Sequence, residues 1–181
     1  MTEELEVLKT VTRRLSAAGI EYMVTGSMAV NYYAVPRMTR DIDLVVALSE
    51  GDADRIEALF GEAFYLDRQA VRSAIEQRAS FKIIETERVV KVDFVVRKES
   101  EYRRTELTRR RRITIDGAEV FVVAPEDLVL SKLDWARESR SEVQLADVRN
   151  VLAAVPDIDR GYLALWAQRL GLEALLAEVT R

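Results

Sequence analysis

"DIDLVVAL", residues 41–48, decides how this chain is read. Its apolar, β-branched composition is that of a buried strand, yet it opens on two carboxylates, Asp41 and Asp43. Residues two apart in a strand project from the same face, so these acids stand side by side. Like charges at that spacing repel unless something positive lies between them. Solvation of both acids at an exposed strand start is the simplest account of an isolated pair. Two further features argue for more.

Immediately upstream, "GIEYMVTG" reads as a strand ending at Gly26, and "SMAVNYYA" as a short helix opened by Ser27 as its N-cap and stopped by Pro36. A glycine at such a junction lets backbone approach a ligand, and the amides that open a helix form an anion site suited to phosphate. Any strand needs a turn, so this pair alone carries little. Downstream, "VVKVDFVV" (89–96) places a third acid, Asp93, in a strand of valines and phenylalanine. Asp93 shares a face with Lys91 and Val95, opposite Val90, Val92, Phe94 and Val96; the exposed face of an edge strand would account for it equally well. Together, three strand-borne acids and a Gly-Ser turn describe a pair of metal ions held beside a triphosphate.

Further out, Leu5, Leu8, Val11 and Leu15 recur at helical spacing over residues 3–18. "SEGDADRIEALFG" predicts a helix capped by Ser49 and left at Gly61. "FKIIETERVVKVDFVV" predicts two strands about a turn near Glu87, and "RITIDGAEVFVVA" a hairpin about Asp116 and Gly117. Beyond Pro125 the pattern is helical. The chain divides into a mixed portion, residues 1–124, and a helical portion, residues 125–181.

Composition removes whole classes of chemistry. With no cysteine and no histidine there is no thiolate, no imidazole base and no ordinary zinc site. The ligands that remain favour hard cations such as Mg²⁺ or Mn²⁺. No run approaches the roughly 18 apolar residues of a membrane span, and the acidic N-terminus is unlike a leader, so a cytoplasmic protein without a membrane partner is expected.

The pattern "TGSMAVNYYAVPRMTRDIDLVV" with "KVDFVV" resembles the nucleotidyltransferase superfamily related to DNA polymerase β. "PRMTRDIDLVV" is most similar to the AbiEii-type toxins and their bacterial relatives, and the resemblance extends through "APEDLVLSKLDWARESR" and "EVQLADVRNVL", covering about residues 20–155. It implies an α+β fold, a mixed β-sheet flanked by helices with a C-terminal helical subdomain at 125–181 behind a catalytic core at 1–124. It implies an enzyme that moves an NMP from an NTP to an acceptor and releases pyrophosphate. Asp41, Asp43 and Asp93 would hold Mg²⁺ or Mn²⁺, with Asp93 also placed to act as general base.

By the same resemblance Lys132 and Asp147 are active-site residues. Read without it, Lys132 interrupts an apolar stripe with Leu128, Trp135 and Ala136, where it either snorkels to water or reaches phosphates. Asp147, flanked by Val143 and Val151, suits capping or salt bridging as well as chemistry. Gly26, Ser27 and Arg40 join Lys132 as candidate nucleotide-binding residues. Arg37 and Arg40 would help neutralise a triphosphate, although solvated loop arginines are the simpler account of both.

"RRTELTRRRR", residues 103–112, concentrates six arginines in a chain of net charge −4. Arg109, Arg110, Arg111 and Arg112 suit an RNA backbone or a solvated helix face. RNA, especially tRNA, is the acceptor that fits both the run and the toxin resemblance, with a cognate antitoxin as a protein partner. Aminoglycoside-type small molecules and proteins are the alternative acceptors, and a non-catalytic or antitoxin-like nucleotide-binding module is the alternative of another class.

Overall fold

Helix α1, Glu3–Ala17, opens the structure, a computed structural model that describes residues 2–180; residues 1 and 181, the outer ends of the two expected units, lie outside them. Its three-and-four spacing turns Leu8, Val11 and Leu15 inward to complete burial, and Thr2 caps it by accepting the Leu5 N–H. Strand β1 (Tyr22–Thr25) then runs directly into α2 (Gly26–Tyr33), and strand β2 spans Asp41–Val46. A 3-10 turn at Glu50–Asp52 and α3 (Ala53–Phe60) follow, with Ser49 making the expected cap. Strand β3 (Phe64–Leu66) and helix α4 (Arg68–Gln77) come next, two elements that strand alternation and glycine punctuation do not mark. Strands β4 (Ser80–Glu85) and β5 (Val90–Val96) form a hairpin, and after α5 (Glu101–Thr108) so do β6 (Arg111–Ile115) and β7 (Ala118–Val122). Asp116 and Gly117 take left-handed φ of 47° and 78°, as a tight two-residue turn requires. Helices α6 (Pro125–Ser139), α7 (Glu142–Ala154), α8 (Arg160–Leu170) and α9 (Glu173–Val179) complete the chain.

The strands form one mixed sheet ordered β3-β4-β5-β2-β1-β7-β6. Strand β2 runs antiparallel to β1 and parallel to β5, so the two acid-bearing strands are direct neighbours in the middle of the sheet. That arrangement corrects the edge-strand account of Asp93: β5 is paired on both sides, by β2 and β4. One face of these strands carries Ile42, Leu44, Val92, Phe94 and Ile83, each with 0% exposure, and Phe94 stacks on Phe81 at 5.0 Å. A side chain of this size contributes roughly 1.5–3 kcal/mol when fully buried. The other face carries the acids. Among the described residues no helix is long and apolar enough to cross a membrane.

Candidate active site

The sheet register sets the acids in line. Thr25, Asp43, Asp93 and Lys82 lie opposite one another across β1, β2, β5 and β4, and the next row holds Asp41 opposite Lys91. Asp41 is exposed, while Asp43 and Asp93 are half-buried. Burial, reinforced by the charges of Asp93 and Asp41, pushes the Asp43 carboxyl above the usual range against the pull of Lys132 and Lys91. Two of the acids converge on one positive group: Lys91 Nζ stands 3.2 Å from Asp41 Oδ1 and 3.2 Å from Asp93 Oδ2. Among the described residues no group of three or more carboxylate, histidine or cysteine side chains is gathered as a metal cage. The donor set nevertheless suits a hard divalent ion, because it consists of carboxylate oxygens, and two of the three acids already share a cation.

Gly26 is where the backbone meets this row. Its φ of 61° lies in the left-handed region, and a Cβ there would fall 2.7 Å from Asp43 Cγ and closer still to the carboxylate oxygen. Helix α2 starts at this residue, so its first amides open beside Asp43. The N-cap position belongs to Thr25, which makes no side-chain cap bond. Ser27, expected as the cap, sits inside the first turn, and its Oγ accepts a 2.6 Å hydrogen bond from Arg37. Gly26, Ser27, Asp43, Lys132, Trp135 and Gln144 line a cleft of about 160 Å³. A second cleft of about 340 Å³ shares Thr25, Val95, Ser131 and Trp135 with it.

Helix α6 brings Lys132 to this cleft and α7 holds it there. Lys132 does not snorkel: it is 5% exposed, and its Nζ donates to Asp147 Oδ2 at 2.8 Å and to Gln144 Oε1 at 2.8 Å. Arg37 grips the same carboxylate with both arms of its fork, at 3.0 Å to each oxygen. Burial alone would raise the Asp147 pKa, but hydrogen bonds from Arg37 and Lys132 outweigh it and hold the carboxyl below the usual range. Arg37 is itself anchored by Asn31, which accepts its backbone N–H and donates to its carbonyl. A solvated loop arginine is therefore the wrong description of Arg37. Arg40 remains exposed, on the loop leading into β2. The sequence offers Arg37 only as a loop charge, since its carboxylate partner lies 110 residues away; alternation puts Lys91 on the Asp93 face without showing its partners, and Gln144 carries no mark.

The arginine run is divided between two elements, with Arg109 and Arg110 drawn inward and Arg111 and Arg112 left exposed. Arg109 and Arg110 follow the end of α5, while Arg111 and Arg112 begin β6. Arg109 reaches fully buried Asp127 and Glu126 at 3.0 Å each and lies over the Tyr162 ring, whose hydroxyl donates to Asp127 at 2.7 Å. Arg110 pairs with Glu21 at 2.9 Å, Arg111 with Glu126 at 3.9 Å and Arg112 with Glu119 at 3.7 Å. Half or more of the Arg111 and Arg112 side chains stays exposed.

Comparison with known proteins bears on the family and the fold. The sequence model of a family described as "Nucleotidyl transferase of unknown function (DUF2204)" matches residues 4–160. No curated protein matches by sequence. Among solved structures, the chain is similar to an antigenic nucleotidyltransferase-like protein from Paracoccidioides brasiliensis, with 17% identity and a TM-score of 0.59 over 98% of this chain and 92% of that one. It is also similar to lincosamide antibiotic adenylyltransferase LnuA, solved with lincomycin bound, at 11% identity and a TM-score of 0.55 over 83% and 96% of the two chains. The antibiotic-resistance factor ANT(2'')-Ia gives 13% identity and a TM-score of 0.55 over 97% and 93%. At these identities the likeness is one of fold.

Proposed function

The chain belongs to the DUF2204 family of nucleotidyl transferases, and from that premise we propose that it transfers an NMP from an NTP to a hydroxyl-bearing acceptor at the row formed by Asp41, Asp43 and Asp93. The observation that carries this reading is the in-register pairing of Asp43 with Asp93, beside a helix start at Gly26 whose positive φ and close approach to Asp43 leave no ready space for a Cβ. Asp41, Asp43 and Asp93 would hold Mg²⁺ or Mn²⁺, which supplies Lewis-acid charge to the phosphates when bound. The amides that open α2, the Ser27 hydroxyl and Lys132 bind and orient the triphosphate. Arg40, on the approach to β2, adds positive charge at the mouth. Asp93 accepts the proton of the acceptor hydroxyl, whose oxygen bonds to the α-phosphorus as the bond to the β-phosphate breaks and pyrophosphate leaves. Asp147 acts through others: it positions Lys132 and Arg37 and touches no reacting atom.

RNA, tRNA above all, is the acceptor we put first, in a cytoplasmic protein partnered by an antitoxin. This rests on the AbiEii-like stretch "PRMTRDIDLVV", and the exposed portions of Arg111 and Arg112 are what the arginine run still offers a phosphate backbone. A small hydroxyl compound is the second reading. The 340 Å³ cleft that adjoins the smaller Asp43-lined one favours it, as does the fold shared with a lincosamide adenylyltransferase. We also take residues 1–124 as the catalytic core and 125–181 as the helical unit that closes over it.

Incubation with α-labelled NTPs and Mg²⁺, offering total RNA, protein extract and a panel of aminoglycosides and lincosamides in parallel, tests the reading. Label should pass to RNA and stay behind in the Asp41→Asn, Asp43→Asn double variant. Label in a small molecule selects the second acceptor. No transfer to any of them, with nucleotide still bound, identifies a binding module instead of an enzyme.

A further inference from the structure

Between Asp41 and Asp93 the chain supplies its own cation. Strand alternation puts Lys91 on the acid face, and the parallel pairing of β5 with β2 sets it directly opposite Asp41, two residues before Asp93. Its ammonium therefore reaches one oxygen of each acid at the same 3.2 Å. The side chain is about one third exposed (35%), so it has open space to move into. We propose that Lys91 is a resident counter-ion which keeps the place of a divalent cation between Asp41 and Asp93 and yields it when nucleotide and cation arrive together. This rests on the reading of the acid row as the metal-holding part of a nucleotidyltransferase.

The charges explain why the exchange needs both ligands. A divalent ion entering alone must evict one positive charge to deliver two, and it leaves the ammonium without a partner. When a triphosphate is present, the released ammonium has phosphate oxygens within reach of its flexible four-carbon stem. Lys91 thus discourages metal binding to the nucleotide-free site without blocking it in the loaded one. The residue type matters: a guanidinium would bind the carboxylates through a rigid fork and be harder to displace.

Binding of Mn²⁺ alone to the full chain, followed by the electron paramagnetic resonance signal of the free ion, tests the proposal without relying on turnover. Lys91→Met should bind Mn²⁺ about tenfold more tightly than the unaltered chain, the size set by loss of two partly exposed ion pairs. Lys91→Arg should bind it no more tightly than the unaltered chain. With a non-hydrolysable NTP analogue present, the gap between Lys91→Met and the unaltered chain should shrink to less than about threefold, since the displaced ammonium then has its phosphate partner. Thermal melting gives a second measure: Lys91→Met should melt lower than the unaltered chain in chelator and be raised more by Mn²⁺. Equal Mn²⁺ affinity in the two proteins, with binding abolished by Asp41→Asn in both, overturns the role of Lys91 and leaves the metal site standing. A Lys91→Met protein destabilised equally with and without Mn²⁺ overturns it as well. Failure of either protein to bind Mn²⁺ even with the nucleotide analogue removes the acid-row reading, and the proposal falls with it.

Discussion

Replacing Gly26 by alanine tests whether the first turn of α2 and the Asp43 carboxylate are fitted to each other. Alanine at a φ of 61° incurs the left-handed penalty, about 1–2 kcal/mol. A stiffer unfolded chain returns about 0.4–1 kcal/mol. The new methyl would also sit 2.7 Å from Asp43 Cγ, so the carboxylate must leave its rotamer, at about 0.5–1.5 kcal/mol, and 2.9 Å from Asp43 Cβ, a contact that only a small backbone shift relieves. The balance is a loss of about 2 kcal/mol, read as a fall in Tm of about 4–8 °C for a chain of this size. Nucleotide binding should be lost as well, because the displaced carboxylate moves into the space beside the opening amides. Thermal melting followed by circular dichroism measures the first effect, and repeating it in an Asp43→Ala background isolates the contact. With the carboxylate gone, Gly26→Ala should cost about 1 kcal/mol less, while the backbone penalty persists. Identical costs in the two backgrounds, within about 0.3 kcal/mol, would refute the fit between Gly26 and Asp43 and leave backbone strain alone.

Lys132→Met should lose about 1–3 kcal/mol in urea unfolding, because Asp147 keeps only Arg37 as a charged partner, and should weaken nucleotide binding at least tenfold; unchanged stability would show that the buried pair is not maintained in solution. Asp147→Asn should weaken nucleotide binding while leaving Mn²⁺ binding to the acid row intact, and a loss of both would argue against its role as a positioning residue. The pH dependence has opposite signs at two carboxyls. Asp43, held above its unfolded value, should titrate above the usual aspartate range in a ¹³C NMR experiment and drop toward that range in Asp93→Asn, and the stability tied to its proton is lost as pH rises through the folded value. Asp147, held below its unfolded value, contributes stability that is present above the usual aspartate range and lost as pH falls through the folded value, so Asp147→Asn should flatten that part of the acid melting curve. In the arginine run, Arg109→Met should destabilise by about 3 kcal/mol by leaving buried Asp127 with the Tyr162 hydroxyl but no charged partner, whereas Arg112→Ala should stay within about 0.5 kcal/mol; equal effects would contradict the burial of the Arg109 pair.

The parts of this molecule legible in its sequence are those governed by local periodicity. Alternation marks β5, the Asp-Gly pair marks the β6–β7 hairpin, and the acids can be assigned to a shared face within each strand because side-chain direction along a strand is fixed by the backbone. Strand β3 is not legible because three residues are too few to show a period, and α4 is not because its polar face dominates a short segment. The site was readable only in part, for a different reason. A carboxylate on a strand declares itself, but the meaning of Arg37, Lys91 and Asp147 lies in partners supplied by pairing and helix packing. The arginine run shows the same limit from the other side: its charge density suggests an outward surface, yet Asp127 and Tyr162, which draw Arg109 inward, come from α6 and α8.

The parallel pairing of β2 with β5 makes the spacing of the chemistry discrete. Ladder hydrogen bonds hold Asp43 opposite Asp93, and a slip of one residue would send one whole strand's side chains to the opposite face. The smallest slip that keeps both acids together on one side is two residues, a jump of about 6.6 Å, so no gradual drift in their separation is open to this fold. Lys132 and Asp147 ride on helices, where a change of packing residue shifts an axis by fractions of an ångström. Descendants of such a scaffold can therefore adjust what they accept by small steps on the helical side, while the carboxylate spacing passes between them unaltered or not at all.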